Sequence, residues 1–497
     1  MNNADFISLF EKSLRGIESE VHESGIVIQI SDNICLVRGL QSAFFGELVT
    51  FEHGNQGVVF ELSRDLVSVF LIYSTISVSE EERVARTGKI FAVPVDKKML
   101  GRVVNVLAKP LDMLGDIQYE ENRPIEVAIP SVIDREPINE SFETGTLIVD
   151  ALIPIGKGQR ELIIGGRGTG KSTFVLDTIL NQKNKNVICV YVAIGQRQAG
   201  IARFTQTLAQ HGVLDYCIIV TAGPDEAVLN RYMAPYVGCT IAEYFRDLGH
   251  DVLVVYDDLT SHAIAFREMS LLLRRSPGRE AYPGDVFFLH SRLLERAGKL
   301  KRGGSITALP IVQIQGDDIT AYIPTNLISI TDGQIFFDQN KFNQAIFPAI
   351  NTELSVSRVG GAAQTKAIKK VTKALRLELA QYHELLTFAK FGAELDEIAN
   401  RQLERGKRIV ELLRQKKHRT LSFVEQALKL FLLKETFLDS VSLEHIASFT
   451  TQFTSYVESV YANLFNEIKT TGDISVASQE QLRSIAHEFK TIFSENL

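Results

Sequence analysis

The run Gly165-Gly166-Arg167-Gly168-Thr169-Gly170-Lys171-Ser172-Thr173 restricts the folds open to this chain more than any other feature. It satisfies the spacing G-x-x-x-x-G-K-[S/T], follows the apolar run ELIIG and leads into FVLDTIL, which reads as a helix. A strand must end here, curl tightly and pass at once into a helix. The glycines let successive backbone N–H groups point at one spot, and the helix N-terminus adds positive potential there. That is a cradle for phosphate. In such a cradle Lys171 reaches the β- and γ-phosphates and the Ser172 hydroxyl ligates Mg2+. A nucleotide with Mg2+ is the expected cofactor.

Further apolar runs surround the cradle: Asn186 to Gly195 (NVICVYVAIG), Tyr216 to Ala222 (YCIIVTA) and Asp251 to Asp258 (DVLVVYDD). Near-continuous Val/Ile runs bury both faces of a strand, which predicts a parallel sheet flanked by helices. DVLVVYDD ends in Asp257-Asp258. Asp257 is expected to hold a water on Mg2+ from across the sheet, while Asp258 reads equally well as an ordinary capping residue. Hydrolysis needs a group to position the attacking water. It is expected at the end of the strand next to the cradle, here NVICVYVAIG, and the residue that follows is Gln196. An amide cannot accept a proton as a carboxylate does, although glutamine orients water in some GTPases. These residues lean towards holding a nucleotide rather than splitting it.

At 497 residues the chain has room for about three domains. Residues 1–82 carry short β-forming runs broken by Asp32-Asn33 and Gly54-Asn55, the pattern of antiparallel hairpins in a small barrel. Residues 83–359 are expected to form an α/β P-loop domain of RecA-like type around that sheet. From Gly360 prolines vanish and apolar residues take helical spacing (Ile368, Val371, Leu375, Leu379; then Leu395, Ile398, Leu403, Ile409, Leu412), so 360–497 is expected to be a helical bundle.

Charge and composition exclude several classes. A net charge of −7, with Asp32, Glu47, Glu52, Glu61 and Asp65 spread through the barrel, argues against nucleic acid as a partner. The ten histidines are dispersed without metal-ligand spacing, and the four cysteines read as small core residues. No apolar run reaches the ~20 residues that span a bilayer, and the N-terminus lacks a signal-peptide core. The expectation is a protein peripheral to a membrane at most. KKVTK and RQKKHR read as solvated helix faces, and Arg274, Arg275 and Arg279 as interface residues rather than nucleic-acid contacts.

From about residue 5 to the C-terminus the chain resembles the alpha subunits of F-type ATP synthases. PIGKGQRELIIG, YVAIGQ, SLLLRRSPGREAYPGDVFFLHSRLLERA, YIPTNLISITDGQIF and SVSRVGGAAQTK stand almost letter for letter. Gln196 occupies the position where catalytic beta subunits carry glutamate. The resemblance implies an arginine finger, Arg358, reaching across an interface to the γ-phosphate in a beta-type site, with Ser355 placed at the same interface. It implies a ring of alternating alpha and beta chains around a gamma-type stalk, held by a delta-type peripheral stalk. The ring couples to an ion-conducting membrane sector, at the cytoplasmic face of a bacterial membrane or on a plastid thylakoid. It also implies that this chain holds Mg-nucleotide without turning it over, with Gln415 near the adenine.

The chain departs from that family at several points. Gly166 and Gly168 replace an aspartate and a glutamine of the usual cradle, and Lys417 replaces the second of two glutamines near the base. The noncatalytic site is therefore expected to be weaker or less selective. The N-terminal segment that serves the peripheral stalk is short. Competing readings are a divergent F-type-like motor driving another process, a self-sufficient hexameric secretion-type ATPase with a carboxylate in place of Gln196, an RNA-tracking hexamer, and a structural member with an empty cradle.

Overall fold

The computed structural model describes residues 23–31, 33–73, 77–316, 318–390 and 396–495. The chain divides into two compact units. One is built on Met1–Ala92 with Ala227–Asn230 and Glu268–Arg275, and the other on Val93–Glu226, Arg231–Arg267 and Ser276–Leu497.

In the first unit, β1 (Ser24–Ser31), β2 (Ile34–Arg38), β3 (Glu47–Phe51), β4 (Gln56–Leu62), β5 (Leu66–Tyr73) and β6 (Arg83–Ile90) close a barrel in the order β1-β2-β5-β4-β3-β6. Period-two alternation sends Val27, Val37, Val49, Phe51, Val69 and Val84 inward. The β1–β2 turn has Asn33 at φ 69°, with Asp32 outside the described residues, and the β3–β4 turn has Gly54 at φ 86°. The barrel closes only through β6, which pairs with both β1 and β3 and lies past the boundary expected at 82/83. Its sequence RVARTGKI buries only Val84, so its alternation is faint.

Glu47 was expected among the surface acids, yet it is fully buried. It accepts from Arg86 Nε at 3.1 Å, from the Gly88 amide at 2.9 Å and from the Phe44 amide at 3.2 Å. It pins β3 to β6 rather than charging the surface. Within the same unit Arg275 lies 3.7 Å from Glu61 and over the Phe60 ring.

The second unit carries a nine-stranded sheet. Its main strands are β7 (Val103–Val104), β8 (Leu162–Gly165), β9 (Val187–Ile194), β10 (Cys217–Ala222), β11 (Asp251–Asp257), β12 (Ser305–Gln313), β13 (Gly333–Phe337) and β14 (Ile350–Ser357), with short Gly298–Lys299 hydrogen-bonded alongside β12. The order is β14-β13-β8-β12-β11-β9-β10-β7. Pairing along this path is parallel except between β13 and β14. Every residue of β8, β9 and β10 is buried, the condition that the unbroken Val/Ile runs demand. All four cysteines are free and buried.

Helices α1 (Lys171–Leu180), α2 (Leu259–Leu272) and α3 (Tyr322–Ile330) accompany the sheet. After the one-turn helix Gly360–Ala363 come α4 (Lys366–Thr372), α5 (Leu375–Lys390), α6 (Glu397–Leu413), α7 (Phe423–Lys434), α8 (Ile446–Val460), α9 (Ala462–Thr471) and α10 (Val476–Glu495). Sheet and helices share one apolar core, running from Ile163 and Phe174 to Ile368, Phe431 and Phe453. The change of texture at 359/360 therefore falls inside one compact unit.

Ile368, Val371, Leu375, Leu379, Ile409 and Leu412 are buried as their spacing predicts, whereas Ile398 is 67% exposed. Ile398 lies in the first turn of α6, beside its cap Asp396, and Leu395 is outside the described residues. RQKKHR is not a helix face: α6 stops at Leu413, and a loop carries these residues to the Ser422–Glu425 capping box of α7. Among the described residues no helix is long and apolar enough to cross a membrane.

Candidate nucleotide site and exposed arginine

β8 ends on Gly165 because nothing larger fits. A Cβ there would stand 2.6 Å from the Phe337 carbonyl oxygen. Gly168 (φ +79°) and Gly170 (φ +105°) take the left-handed backbone that glycine alone adopts freely. Thr169 Oγ donates to the Gly166 carbonyl at 2.9 Å and braces the curl from inside. Arg167, Gly168, Ser172 and Thr173 are left at the surface. Lys171 is buried, with Nζ donating to the Gly165 carbonyl at 2.8 Å and to that of Gly166. Burial brings its pKa down to about 8.

Asp257, the last residue of β11, meets the first turn of α1. Its Oδ2 accepts from Ser172 Oγ at 3.1 Å and from the Tyr191 hydroxyl at 2.6 Å, and its Oδ1 accepts from Gln196 Nε2 at 3.1 Å. Burial pushes the Asp257 carboxyl up, opposed by the Tyr191 and Ser172 hydrogen bonds and the charge of Lys171. Tyr191 stacks on Phe204 at 4.1 Å between ring centroids. A hydroxyl and a carboxylate side by side at the foot of a phosphate cradle suit a small cation that prefers oxygen and completes its shell with water and phosphate. Among the described residues no group of three or more His, Cys, Asp or Glu gathers for a metal.

Asp258 has the capping role. Its Oδ1 accepts from the Ser261 amide at 2.7 Å at the start of α2, and its Oδ2 accepts from Gln313. Burial and then the neighbouring Asp257 raise its pKa to about 6.

Gln196 does follow β9, but β9 is not next to the cradle strand, since β12 and β11 stand between them. It reaches the site because Ala193 pairs with Asp257 across β9 and β11, which sets Gln196 beside the aspartate.

Gln415 does not present a free amide. Both of its N–H groups are spent, on the Gly145 carbonyl at 2.8 Å and the Arg419 carbonyl at 2.7 Å, while Oε1 accepts from the Leu147 amide at 2.9 Å. The loop after α6 is fastened further by His418, whose amide donates to Asp177 of α1 at 3.0 Å. Gln415 is thus a tie between segments. Nothing in the spacing of the sequence distinguishes a tie from a base reader.

Arg358 follows β14 and is exposed. Its amide donates to the Asp332 carbonyl at 2.9 Å, and its guanidinium donates to the carbonyls of Ile328 at 3.2 Å and Thr331 at 3.4 Å, at the C-terminal end of α3. Ser355, expected at the same outward face, is fully buried. Its hydroxyl accepts from the Phe336 amide at 2.9 Å and donates to the Asn351 carbonyl at 2.5 Å, filling an irregularity in the β13–β14 pairing. Its hydroxyl is engaged within its own chain. Arg279 lies over Tyr322 and donates to the Thr320 carbonyl.

The site contains residues that the motif reading passed over. Tyr191 is the one polar side chain in VICVYVAI, and that interruption is a signal. Gln159 and Glu161, just before β8, carry no such mark.

Comparison with known proteins fits this geometry. Residues 145–357 match the model of the ATP synthase alpha/beta family, nucleotide-binding domain, and residues 364–489 match that of the ATP synthase alpha/beta chain, C terminal domain. The chain is 48% identical over 494 residues, 98% of each chain, to a protein of Clostridium botulinum (strain Eklund 17B / Type B) named ATP synthase subunit alpha. It is 49% identical to the ATP synthase subunit alpha of Acetivibrio thermocellus, over 96% of this chain and 95% of that one. It is 44% identical to ATP synthase subunit alpha 1 of Nitrosospira multiformis, over 99% of both.

Proposed function

Because the chain belongs to the ATP synthase alpha/beta family, on the alpha-subunit side, we propose a division of labour for its residues. It is the noncatalytic, nucleotide-binding partner of beta chains in an F-type ATP synthase, an assembly that couples ATP synthesis to ion transport. Full-length likeness to alpha subunits leaves the secretion-type and RNA-tracking readings unsupported.

In the proposed site, Gly165 to Thr173 hold the phosphates of ATP or ADP through backbone N–H groups and Lys171. Ser172 and Asp257 hold Mg2+, the latter through water. Bound there, Mg2+ neutralises phosphate charge. Lys171 exchanges the Gly165 and Gly166 carbonyls for phosphate oxygens. Gln196 keeps Asp257 oriented and supplies no base. With glycine at 166 and 168, the grip on the phosphates is mostly backbone. Gln415 is left out of the base contacts because its amide is used within the chain.

Arg358 is the residue given to the neighbour. A planar, permanently charged guanidinium at the surface stabilises charge that develops on a transferring phosphoryl group. The finer partners belong to the same proposal: a gamma-type central stalk, a delta-type peripheral stalk, and a membrane sector at the cytoplasmic face of a bacterial membrane. The N-terminal segment that would meet the peripheral stalk, residues 1–22, lies outside the described residues.

The observation that carries the reading is the Gln196–Asp257 contact at 3.1 Å, an amide where a hydrolytic site needs a proton acceptor. The test is equilibrium binding of Mg-ATP to the purified chain with the bound nucleotide then analysed. ATP recovered intact, with binding lost in Lys171→Ala, supports the reading. Recovery as ADP contradicts it.

A further inference from the structure

The three residues before the cradle strand, Gln159, Arg160 and Glu161, hold the roots of Arg358 from both sides. On one side, Arg160 clamps the carboxylate of Asp332, with Nη2 to Oδ1 at 2.8 Å and Nε to Oδ2 at 3.0 Å. The carbonyl of Asp332 is the one that accepts from the Arg358 amide. On the other side, Gln159 is fully buried. Its Nε2 donates to Glu161 Oε2 at 2.7 Å and to Ser357 Oγ at 3.0 Å, while its Oε1 accepts from the Gly156 amide at 2.9 Å. Ser357, the residue before Arg358, donates in turn to the Pro154 carbonyl at 2.6 Å and accepts from the Gly360 amide at 3.2 Å.

Glu161 anchors this chain of hydrogen bonds and has no ordinary structural excuse. It is fully buried, and its Oε1 has no hydrogen-bond partner among the described residues. The carboxyl lies against Gly333, where an added Cβ would come within 2.6 Å of Oε2 and 2.9 Å of Oε1. Gly333 pairs with Ser357 across β13 and β14, so the carboxyl sits beneath the point where the strand hands over to Arg358. A buried carboxyl left half-satisfied costs stability, and neither nucleotide binding nor the apolar core uses it.

We infer that Glu161, acting through Gln159 and Ser357, is a positioning residue that sets the direction in which Arg358 leaves the sheet. The inference rests on the finger role proposed for Arg358. Burial raises the Glu161 carboxyl above its usual range, opposed by the Gln159 hydrogen bond and the charge of Arg358; the contact that ties it to Ser357 is the oxygen that accepts from Gln159. Glutamine at 161 keeps that oxygen and alanine removes it. Since Glu161 runs directly into β8 and the cradle, one short segment serves both the chain's own nucleotide and the residue it lends.

The test uses the complex reconstituted with its beta-type partner, with Arg358→Ala, Glu161→Ala, Glu161→Gln and Ser357→Ala alongside the native chain. Misplacement of a transition-state group by about 1 Å costs on the order of 10²-fold in rate. Glu161→Ala is expected to lower kcat by that order with KM for Mg-ATP held within about twofold. Nucleotide affinity of the chain's own site stays unchanged, and Glu161→Gln restores kcat. Ser357→Ala, which cuts the same chain of bonds nearer the surface, lowers kcat likewise and stands in if Glu161→Ala does not fold. Native kcat in Glu161→Ala or Ser357→Ala overturns the inference, as does a fall in kcat that only tracks lost hexamer or lost binding at the chain's own site. Full turnover in Arg358→Ala overturns the finger role itself. Turnover lost in Arg358→Ala and kept in Glu161→Ala removes only the positioning role.

Discussion

Gln196 donates its amide N–H to Asp257 Oδ1 at 3.1 Å, on the side opposite the Ser172 hydroxyl, which takes Oδ2. The carboxylate that faces the cradle is thus held by donors. Gln196→Glu replaces one donor with a second carboxylate at hydrogen-bond distance, and two such groups share a site only with a proton or a cation between them. The variant is expected to melt below the native chain in EDTA and to recover most of the difference in millimolar Mg2+. Equal melting of the two proteins with and without Mg2+ would contradict the placement of Gln196 against Asp257.

The cradle glycines separate conformational strain from collision. Around Gly168 no atom lies within 4 Å of an added Cβ, so Gly168→Ala meets only the left-handed backbone at φ +79°. That costs about 1–2 kcal/mol. Gly165→Ala drives a methyl to 2.6 Å from the Phe337 carbonyl, and β8 must shift. Nucleotide affinity measured by calorimetry should fall modestly in Gly168→Ala and be abolished in Gly165→Ala. The reverse ranking would contradict the close approach of β8 and β13.

How legible these features were depended on whether a local pattern encoded them. The parallel strands and the cradle could be read because continuous Val/Ile runs and a fixed glycine spacing have few folded solutions. β6 could not, because RVARTGKI carries its barrel alternation in one valine. Gln196 follows a strand that does not lie beside the cradle strand; it reaches the site through the β9–β11 register, which no local spacing encodes. Ser355 and Gln415 looked like outward, ligand-facing groups, yet both satisfy backbone groups inside the fold. Hydrogen bonding between segments distant in sequence decides such cases, and no spacing rule reports it. Glu47 is the same lesson in the barrel: an acid between apolar residues reads as surface until the strand that buries it is known.

Glu47→Ala should loosen the barrel and little else. Breaking a buried ion pair by removing one partner costs roughly 3–5 kcal/mol, and the lower end applies because Arg86 keeps Glu23 at 3.0 Å. Hydrogen exchange should rise in β3 and β6 with nucleotide binding unchanged, and Glu47→Gln should fall between. Unchanged protection in β3 would contradict the pinning role.

A buried histidine pair makes the larger unit acid-sensitive. His262 and His290 are fully buried with ring centroids 5.4 Å apart, and neither nitrogen of His290 has a hydrogen-bond partner among the described residues. Burial lowers both, His290 to about 4 from 6.5. Between those values the unfolded chain binds the proton and the folded chain does not, so stability falls as pH drops from 6.5 towards 4. Calorimetric melting of His290→Leu should show a shallower decline across that window. A decline as steep as the native one would contradict the neutral, buried state of His290.

Steady-state ATP hydrolysis by the purified chain, alone and then mixed with its beta-type partner, tests the holder-and-finger division most directly. The expected result is no turnover alone, turnover in the mixture, and a loss on the order of 10³-fold or more in the mixture containing Arg358→Ala. Robust hydrolysis by the chain alone, or a mixture indifferent to Arg358, would contradict it.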